Sequence, residues 1–135
     1  MVEMELNKII IDEKRHDQII VLKEKEGDRH LPIVIGLLEA SSIKMEIGGI
    51  KPPRPLTHDL LRSTIETLGA RLEKLVIDKL EANTFHAKLH LNLGDSKVKI
   101  VDSRPSDGIA LCVRTKSPIF VEDEVLNKAE FYKEK

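Results

Sequence analysis

Two short segments of the chain combine residue types that serve phosphate binding and proton transfer. Arg54-Pro55-Leu56-Thr57-His58-Asp59 and Arg104-Pro105-Ser106-Asp107 lie fifty positions apart, and each places an arginine before a rigid proline, then a hydroxyl residue and an aspartate. Both lead into an apolar run, which predicts that each begins a helix. Backbone N–H groups at a helix N-terminus and a neighbouring guanidinium together suit a phosphate. These two segments, called the Arg-Pro motifs below, are where the sequence predicts a functional site.

The same residues also have a purely structural interpretation. Thr57 and Ser106 are natural N-caps, because a hydroxyl oxygen can accept a hydrogen bond from a backbone N–H that lacks a partner within the helix. Asp59 and Asp107 would then fall in the first helical turn, where a negative charge suits the helix dipole. This interpretation accounts for the hydroxyl residues and the aspartates but not for the arginines or His58, so both interpretations stay open.

His58 and a set of scattered carboxylates are the candidates for chemistry beyond phosphate binding. At a helix start the dipole lowers the proton affinity of an imidazole, which suits a neutral acid–base group, although a surface histidine fits the pattern equally well. Four carboxylates near helix starts and strand ends could hold a hard divalent cation such as Mg²⁺ if they converge: Glu39, Asp59, Asp102 and Asp107. The stronger sequence motifs for metal, nucleotide or covalent catalysis are absent.

Composition limits the class of protein. The 135 residues are enough for a single domain spanning 1–135. A content of 41% hydrophobic and 33% charged residues indicates a globular protein, and its core should be aliphatic because only 3% of the residues are aromatic.

The sequence also predicts where the protein is found. No apolar stretch approaches the ~20 residues of a membrane span, and Glu3 and Glu5 are unlike a secretory signal, so a cytoplasmic protein without membrane association is predicted. The single Cys112 excludes an internal disulfide. With a net charge of −1, nucleic-acid binding would require a local basic patch.

Hydrophobic periodicity predicts an α+β domain in which an antiparallel or mixed sheet is built from two blocks of strands with packed helices. Strands are predicted at 2–12, 19–26, 31–35, 71–80 and 84–93, from residue 96 onward, and at 119–121, and helices after residues 36, 57, 106 and 122. The first helix should end at Gly48-Gly49 and the second at Gly69. Gly27-Asp28 and Gly94-Asp95 each predict a two-residue hairpin turn of type II′.

The second of these turns sets a register that places basic side chains together. Pairing Leu93 with Ser96 would bring Leu91 opposite Val98 and Leu89 opposite Ile100. The other face of the hairpin would then carry only basic and neutral polar groups: His86, Lys88, His90, Asn92, Lys97 and Lys99. Such a face could bind a phosphate backbone, but an ordinary solvated sheet face fits the pattern as well.

Five segments carry a resemblance to a known family. They are IGLLEASSI (Ile35 to Ile43), PRPLTHDLL (Pro53 to Leu61), TFHAKL (Thr84 to Leu89), DSRPSDGIAL (Asp102 to Leu111) and PIFVEDEVL (Pro118 to Leu126). In order and length these segments resemble the bifunctional nuclease domain family, over nearly the whole chain. The resemblance implies a compact α+β domain, and some plant members are described as cutting both DNA and RNA. This chain has His86 where the family commonly has tyrosine, and Gly108 where alanine is common.

The resemblance turns the residue pattern into a functional hypothesis. It implies a phosphodiesterase acting on DNA, RNA or both. The scattered carboxylates and the lack of an evident activated nucleophile add the expectation of a divalent cation such as Mg²⁺ or Mn²⁺. The hypothesis assigns phosphate clamping to Arg54 and Arg104, acid–base catalysis to His58, cation binding or water activation to Asp59, Asp102 and Asp107, and further substrate contacts to Thr57, Ser106, Lys88, Lys97 and Lys99. The alternative is a non-catalytic binding or interaction module in which the same arginines and aspartates form internal ion pairs.

Association with a second copy is also predicted. Strands that are apolar on both faces and the apolar segment Ile119-Phe120-Val121 exceed what one small core needs, which favours a homo-oligomer, most simply a dimer.

Overall fold

The computed structural model describes residues 1–12, 14, 17–129 and 132–133. Its elements follow the chain in this order: β1 (Val2–Ile10), β2 (Asp17–Glu24), β3 (Arg29–Gly36), α1 (Leu37–Ile47), α2 (Thr57–Thr67), β4 (Arg71–Glu81), β5 (Thr84–Gly94), β6 (Lys97–Ser103), α3 (Pro105–Thr115), β7 (Ile119–Val121), α4 (Asp123–Lys128) and β8 (Tyr132–Lys133). Strands and helices are combined in one domain, so the α+β prediction is confirmed. No helix in these described ranges is long and apolar enough to cross a membrane.

The two predicted strand blocks form a single mixed sheet in the order β6-β5-β4-β7-β1-β2-β3-β8. Strand β7 joins the blocks, because it pairs antiparallel with β1 and parallel with β4. Ile119 and Val121 are buried in this central position. The segment 119–121 is therefore used within the chain's own sheet and no longer supports the predicted dimer, which stays a prediction.

Helices α1 and α3 cover the sheet with small and aliphatic residues. Ala40, Ile43, Ile109 and Leu111 are fully buried, as the helical spacing predicted. At Gly108 a Cβ would overlap the side chain of the buried Leu75 on β4. The glycine at this position therefore permits the close packing of α3 against the sheet.

Helix α2 begins one residue earlier, and α3 two residues earlier, than N-caps at Thr57 and Ser106 would require. Leu56 and Arg104 are the N-cap residues, both with extended backbone, and Pro105 occupies the first helical position that proline favours. The N-cap prediction for the two hydroxyl residues is wrong. Asp59 performs the related function instead, since its Oδ2 accepts a hydrogen bond of 2.9 Å from the Leu56 N–H. Asp59 and Asp107 do lie in the first turns of their helices.

Both predicted hairpin turns are also wrong. The loop between β2 and β3 has four residues, 25–28. Between β5 and β6 the turn residues are Asp95 and Ser96, at φ 51° and 62°, and Gly94 pairs with Lys97. Two consecutive residues with positive φ give the twist that a two-residue hairpin favours, and they shift the register by one residue from the prediction.

This shift changes which side chains share a face of the sheet. Leu89 lies opposite Val101 and Leu91 opposite Lys99, whereas His90 lies opposite Ile100 and Lys88 opposite Asp102. A one-residue slip moves every side chain of a strand to the other face. Lys97 and Lys99 therefore lie on the face of Leu89 and Leu91, and the predicted all-basic face does not form.

Candidate functional site

The N-termini of α2 and α3 meet beside α1, and this junction brings the two Arg-Pro motifs into direct contact. His58 Nε2 lies 2.9 Å from Asp107 Oδ1, although the two residues are 49 positions apart. The prediction that the motifs lie close together is confirmed for these residues. Arg54 does not take part, because it is exposed on the connector before α2 and lies outside the residues that line the adjacent cleft.

A continuous chain of hydrogen bonds runs through the buried His58. Arg114 Nη2 donates to Ser42 Oγ at 3.0 Å, and Ser42 Oγ lies 2.8 Å from His58 Nδ1. Arginine can only donate, so the Ser42 oxygen accepts from Arg114 and has one proton of its own to donate. For a neutral imidazole that proton goes to Nδ1, which assigns the remaining ring proton to Nε2 and directs it at Asp107.

Arg114 holds the three helices together at this point. Its side chain is only 2% exposed, and its Nε donates to Asp59 Oδ1 at 2.8 Å. Its Nη1 donates to the Ala110 carbonyl at 2.9 Å, and its Nη2 contacts Ser42 on α1. Sequence reasoning missed Arg114 and Ser42. The available signal was an arginine inside the apolar run of α3, where a buried cation requires a partner.

Arg104 is the exposed counterpart of Arg114. It donates to Asp107 Oδ2 from Nε and Nη2 at 3.0 and 2.8 Å, and its Nη2 also lies 2.8 Å from Glu39 Oε1. Its side chain is 66% exposed, whereas those of Asp107 and Glu39 are 32% and 16% exposed. A guanidinium that projects into solvent from two carboxylates is able to contact an incoming anion.

The arginines lower the pKa values of the carboxylates that they contact. The hydrogen bond from Arg114 is the main reason that the pKa of Asp59 lies below its usual value, and the bond from the Leu56 N–H adds to this. Burial is the largest single effect on the pKa of Asp107 and raises it, but hydrogen bonds from His58 and Arg104 outweigh burial and bring the pKa down. Both carboxylates are therefore ionised at neutral pH.

These lowered pKa values predict a loss of stability in acid. A carboxylate with a folded-state pKa below its unfolded value of ~4 stabilises the fold fully above that value and progressively less as the pH falls through the folded pKa. We expect the free energy of unfolding of the wild type to fall as the pH decreases below ~4, and the Asp59→Asn variant to show a shallower decrease. Urea unfolding at pH 3 to 7 measures both slopes. Equal slopes would show that Asp59 carries no such linkage.

A cleft of about 910 Å³ adjoins this network. Its polar wall contains His58, Asp107, Arg104 and Glu39, and its remaining walls are mostly aliphatic side chains from α1, α2, α3, β5 and β6: Leu38, Met45, Leu56, Leu61, Ile65, Leu89, Leu91, Val101 and Leu111. Thr57 and Asp102 also line it, whereas Ser106 is 5% exposed and does not. A pocket of this size with a few convergent polar groups is typical of ligand sites.

The carboxylates proposed as cation ligands do not form one cluster. Asp59 is bound by Arg114, Asp107 by Arg104 and His58, and Asp102 by Lys88, whose Nζ lies 3.1 Å away. Among the described residues no three His, Cys, Asp or Glu side chains are placed to hold a metal ion together. The set Asp59, Asp102 and Asp107 thus does not fit a shared ion as arranged here. Lys88 is also occupied, since Asp78 lies within 3.5 Å of it.

Comparison with known proteins identifies the family of this chain. The family model described as the bifunctional nuclease domain matches residues 20–134, which include both Arg-Pro motifs, Ser42 and Arg114. The chain belongs to this family. A relative in Mycobacterium tuberculosis, named an uncharacterized protein, is 42% identical over 129 residues, covering 96% of this chain and 76% of the relative.

Two members of the bifunctional nuclease domain family in Oryza sativa have functional names. Bifunctional nuclease 2 of subspecies japonica is 30% identical over 114 residues, and Bifunctional nuclease 1 of subspecies indica is 27% identical over 118 residues. The matches cover 82% and 84% of this chain but 35% of each rice protein. The chain thus corresponds to about one third of the rice proteins.

Proposed function

We propose that this domain is a phosphodiesterase that cleaves nucleic acid, with His58 and Asp107 as its acid–base pair and Arg104 as its phosphate clamp. The observation that carries the proposal is the 2.9 Å contact between His58 and Asp107 in the wall of a cleft beside Arg104. Membership of the bifunctional nuclease domain family and the names of the rice relatives support the choice of reaction.

The two members of the pair have different access to a substrate. The Asp107 side chain is 32% exposed and the His58 side chain 10% exposed, so Asp107 is the group that can accept a proton from a water molecule in the cleft. His58 lies behind it and holds one carboxylate oxygen through Nε2. Arg104 can stabilise the charge that develops on the phosphate oxygens while it remains close to Asp107.

Neither Ser42 nor Cys112 has the properties of a nucleophile. Ser42, His58 and Asp107 follow the order of a catalytic triad, but Ser42 is 7% exposed and its oxygen accepts from Arg114. Ser42 is better described as a positioning residue. Burial raises the pKa of the Cys112 thiol to about 12, which leaves it protonated. Water is therefore the proposed attacking group.

The charge of the cleft supports the predicted need for a divalent cation. Of the residues that line it, Glu39, Asp102 and Asp107 are acidic and Arg104 is basic, so three negative charges and one positive charge leave a formal −2. Such a surface repels phosphate unless a cation offsets the charge. The identity of the cation and its ligands stay predictions.

The test is a nuclease assay under metal-free and metal-restored conditions. We expect purified protein to degrade single-stranded DNA and RNA, EDTA to abolish the activity, and added Mg²⁺ or Mn²⁺ to restore it. Gel analysis of labelled oligonucleotides follows the products. Undiminished cleavage in EDTA would refute the cation requirement, and no cleavage of DNA or RNA with any of these cations would refute the proposed function.

A second candidate is a non-catalytic interaction module, and one observation favours it. Arg104 contacts Asp107, which is one of the internal ion pairs that this alternative requires, and Asp59 and Glu39 also contact arginines. In that case the network would fix the helix starts and the cleft would bind a ligand without converting it. The two candidates differ in whether removing the Asp107 charge changes turnover.

A further inference from the structure

We propose that the substrate class is single-stranded nucleic acid, bound along a track from Arg104 across the apolar cleft to Lys99 and Lys97. The inference rests on the proposed function and specifies its substrate. It depends on the observed register of β6, which places these lysines on a different face from the one expected from the sequence.

The geometry of β6 places the lysines in line with the cleft. Val101 and Ser103 line the cleft, and alternate residues of a strand share a face, so Lys99 and Lys97 continue the same row. Successive members of that row are about 7 Å apart, which is close to the separation of neighbouring phosphates in an extended strand. Both lysines are exposed, and among the described residues neither is within ion-pair distance of a carboxylate.

The apolar walls between Arg104 and Lys99 favour unpaired bases. Leu61, Leu91 and Val101 line the cleft and are at least partly exposed, so they offer a surface that a nucleobase can cover once it is unstacked. A duplex keeps its bases paired inside and presents charged phosphates, which gain nothing from aliphatic walls. Of the described residues that line the cleft, Arg104 alone has a permanently cationic side chain. The cleft therefore lacks the dense basic surface that binding of duplex backbone requires.

The positive charges along the track favour a nucleic-acid strand over a second copy of the chain as the occupant of the cleft. A second copy would bring its own apolar surface, but it would pair with Arg104, Lys99 and Lys97 only if three of its acidic side chains matched their spacing. A single strand matches both features, because its bases and phosphates alternate along the same polymer. We therefore assign the cleft to a single strand and treat self-association as an outcome that the test must distinguish.

Fluorescence anisotropy in Mg²⁺, which offsets the charge of the cleft, tests the track with a labelled, nuclease-resistant 12-nucleotide phosphorothioate single strand and with a hairpin duplex of the same composition and linkages. The variant Lys97→Gln/Lys99→Gln should weaken single-strand binding by roughly tenfold at low salt, and reduce the slope of log affinity against log salt by about 1.4, the value for two phosphate contacts. Lys8→Gln/Lys79→Gln, with the same charge change on exposed residues of β1 and β4, should change affinity by no more than about twofold.

The apolar part of the track is tested with Leu61→Gln/Val101→Thr, since both residues are substantially exposed and the substitutions suit a helix and a strand. This variant should weaken binding of the single strand more than that of the duplex. Equal wild-type affinity for the two forms, or equal effects of the two lysine pairs, would overturn the inference. A third outcome would also overturn it: single strands do not bind, and light scattering shows a wild-type dimer that becomes a monomer in Leu61→Gln/Val101→Thr. The cleft would then be occupied by a second copy of the chain.

The binding experiment tests the track, and the cleavage experiment tests the proposed nuclease, so either proposal can be rejected without the other. Lysine-dependent binding of single strands without cleavage would retain the track and reject the proposed nuclease. Cleavage of single strands and duplexes at equal rates, unchanged by Lys97→Gln/Lys99→Gln, would retain the nuclease and reject the track.

Discussion

Replacing Arg114 by methionine is expected to lower the free energy of unfolding by on the order of 3 kcal/mol. Removing one partner of a buried ion pair leaves the other without compensation, and here the Arg114 side chain is 2% exposed and contacts three helices. Asp59 would lose its main hydrogen-bond donor, and Ser42 would lose the donor that orients its own proton. Urea denaturation at pH 7 measures the change.

A matched control for Arg114→Met is Arg62→Met. Arg62 forms an ion pair with Glu66 on the surface of α2, with side chains that are 43% and 56% exposed. Such a pair contributes little, so the free energy of unfolding should change by less than about 0.5 kcal/mol. Equal effects of the two substitutions would show that the Arg114 network does not stabilise the junction of the helices.

The second large effect is expected on catalysis. Asp107→Asn preserves the size of the side chain and can still accept a hydrogen bond from His58, but it removes the negative charge that would accept a proton. We expect nuclease activity to fall on the order of 10²- to 10⁴-fold while the variant stays folded. His58→Ala should lower activity on the order of 10²-fold if the imidazole orients Asp107 and moves its proton.

The control for Asp107→Asn is Asp17→Asn, the same substitution at an exposed position on β2, on the far half of the sheet. It should retain wild-type activity. All four proteins need parallel purification, because traces of host nuclease imitate weak activity. If wild type and Asp107→Asn degrade DNA and RNA at the same rate, the residual cleavage does not come from this site and the interaction-module candidate is favoured.

Local patterns in the sequence were sufficient to predict where the strands and helices lie. Alternating and three-to-four-residue hydrophobic spacing located the strands and helices, and glycines marked the ends of α1 and α2, where Gly49 and Gly69 have φ 73° and 80°. These features depend on neighbouring residues, so the chain itself encodes them. The Arg-Pro motifs were recognisable for the same reason, because proline before a polar first turn is a local signal for a helix start.

Features that depend on competition between similar local conformations were predicted incorrectly. A turn at Gly94-Asp95 and one at Asp95-Ser96 differ by one residue, and both satisfy local rules for hairpins. The observed register is the one that fits the rest of the sheet, and it moved Lys97 and Lys99 onto the cleft side. The hydroxyls of Thr57 and Ser106 suited an N-cap, but the N-caps are Leu56 and Arg104. Pro105 favours a helix start at its own position, and Asp59 accepts a hydrogen bond from the Leu56 N–H.

The sequence by itself determined the fold class, the elements and the two motifs that contain His58 and Asp107. Only the tertiary structure decided the partners of those motifs. Ser42 meets His58, and Arg114 meets Asp59, because α1, α2 and α3 pack together, which no local spacing encodes. The pair of Arg104 and Asp107 is local by contrast, since the two residues are three positions apart at the start of α3. The same packing separated Arg54 and Asp102 from that network, since contacts between distant segments depend on how whole helices and strands pack.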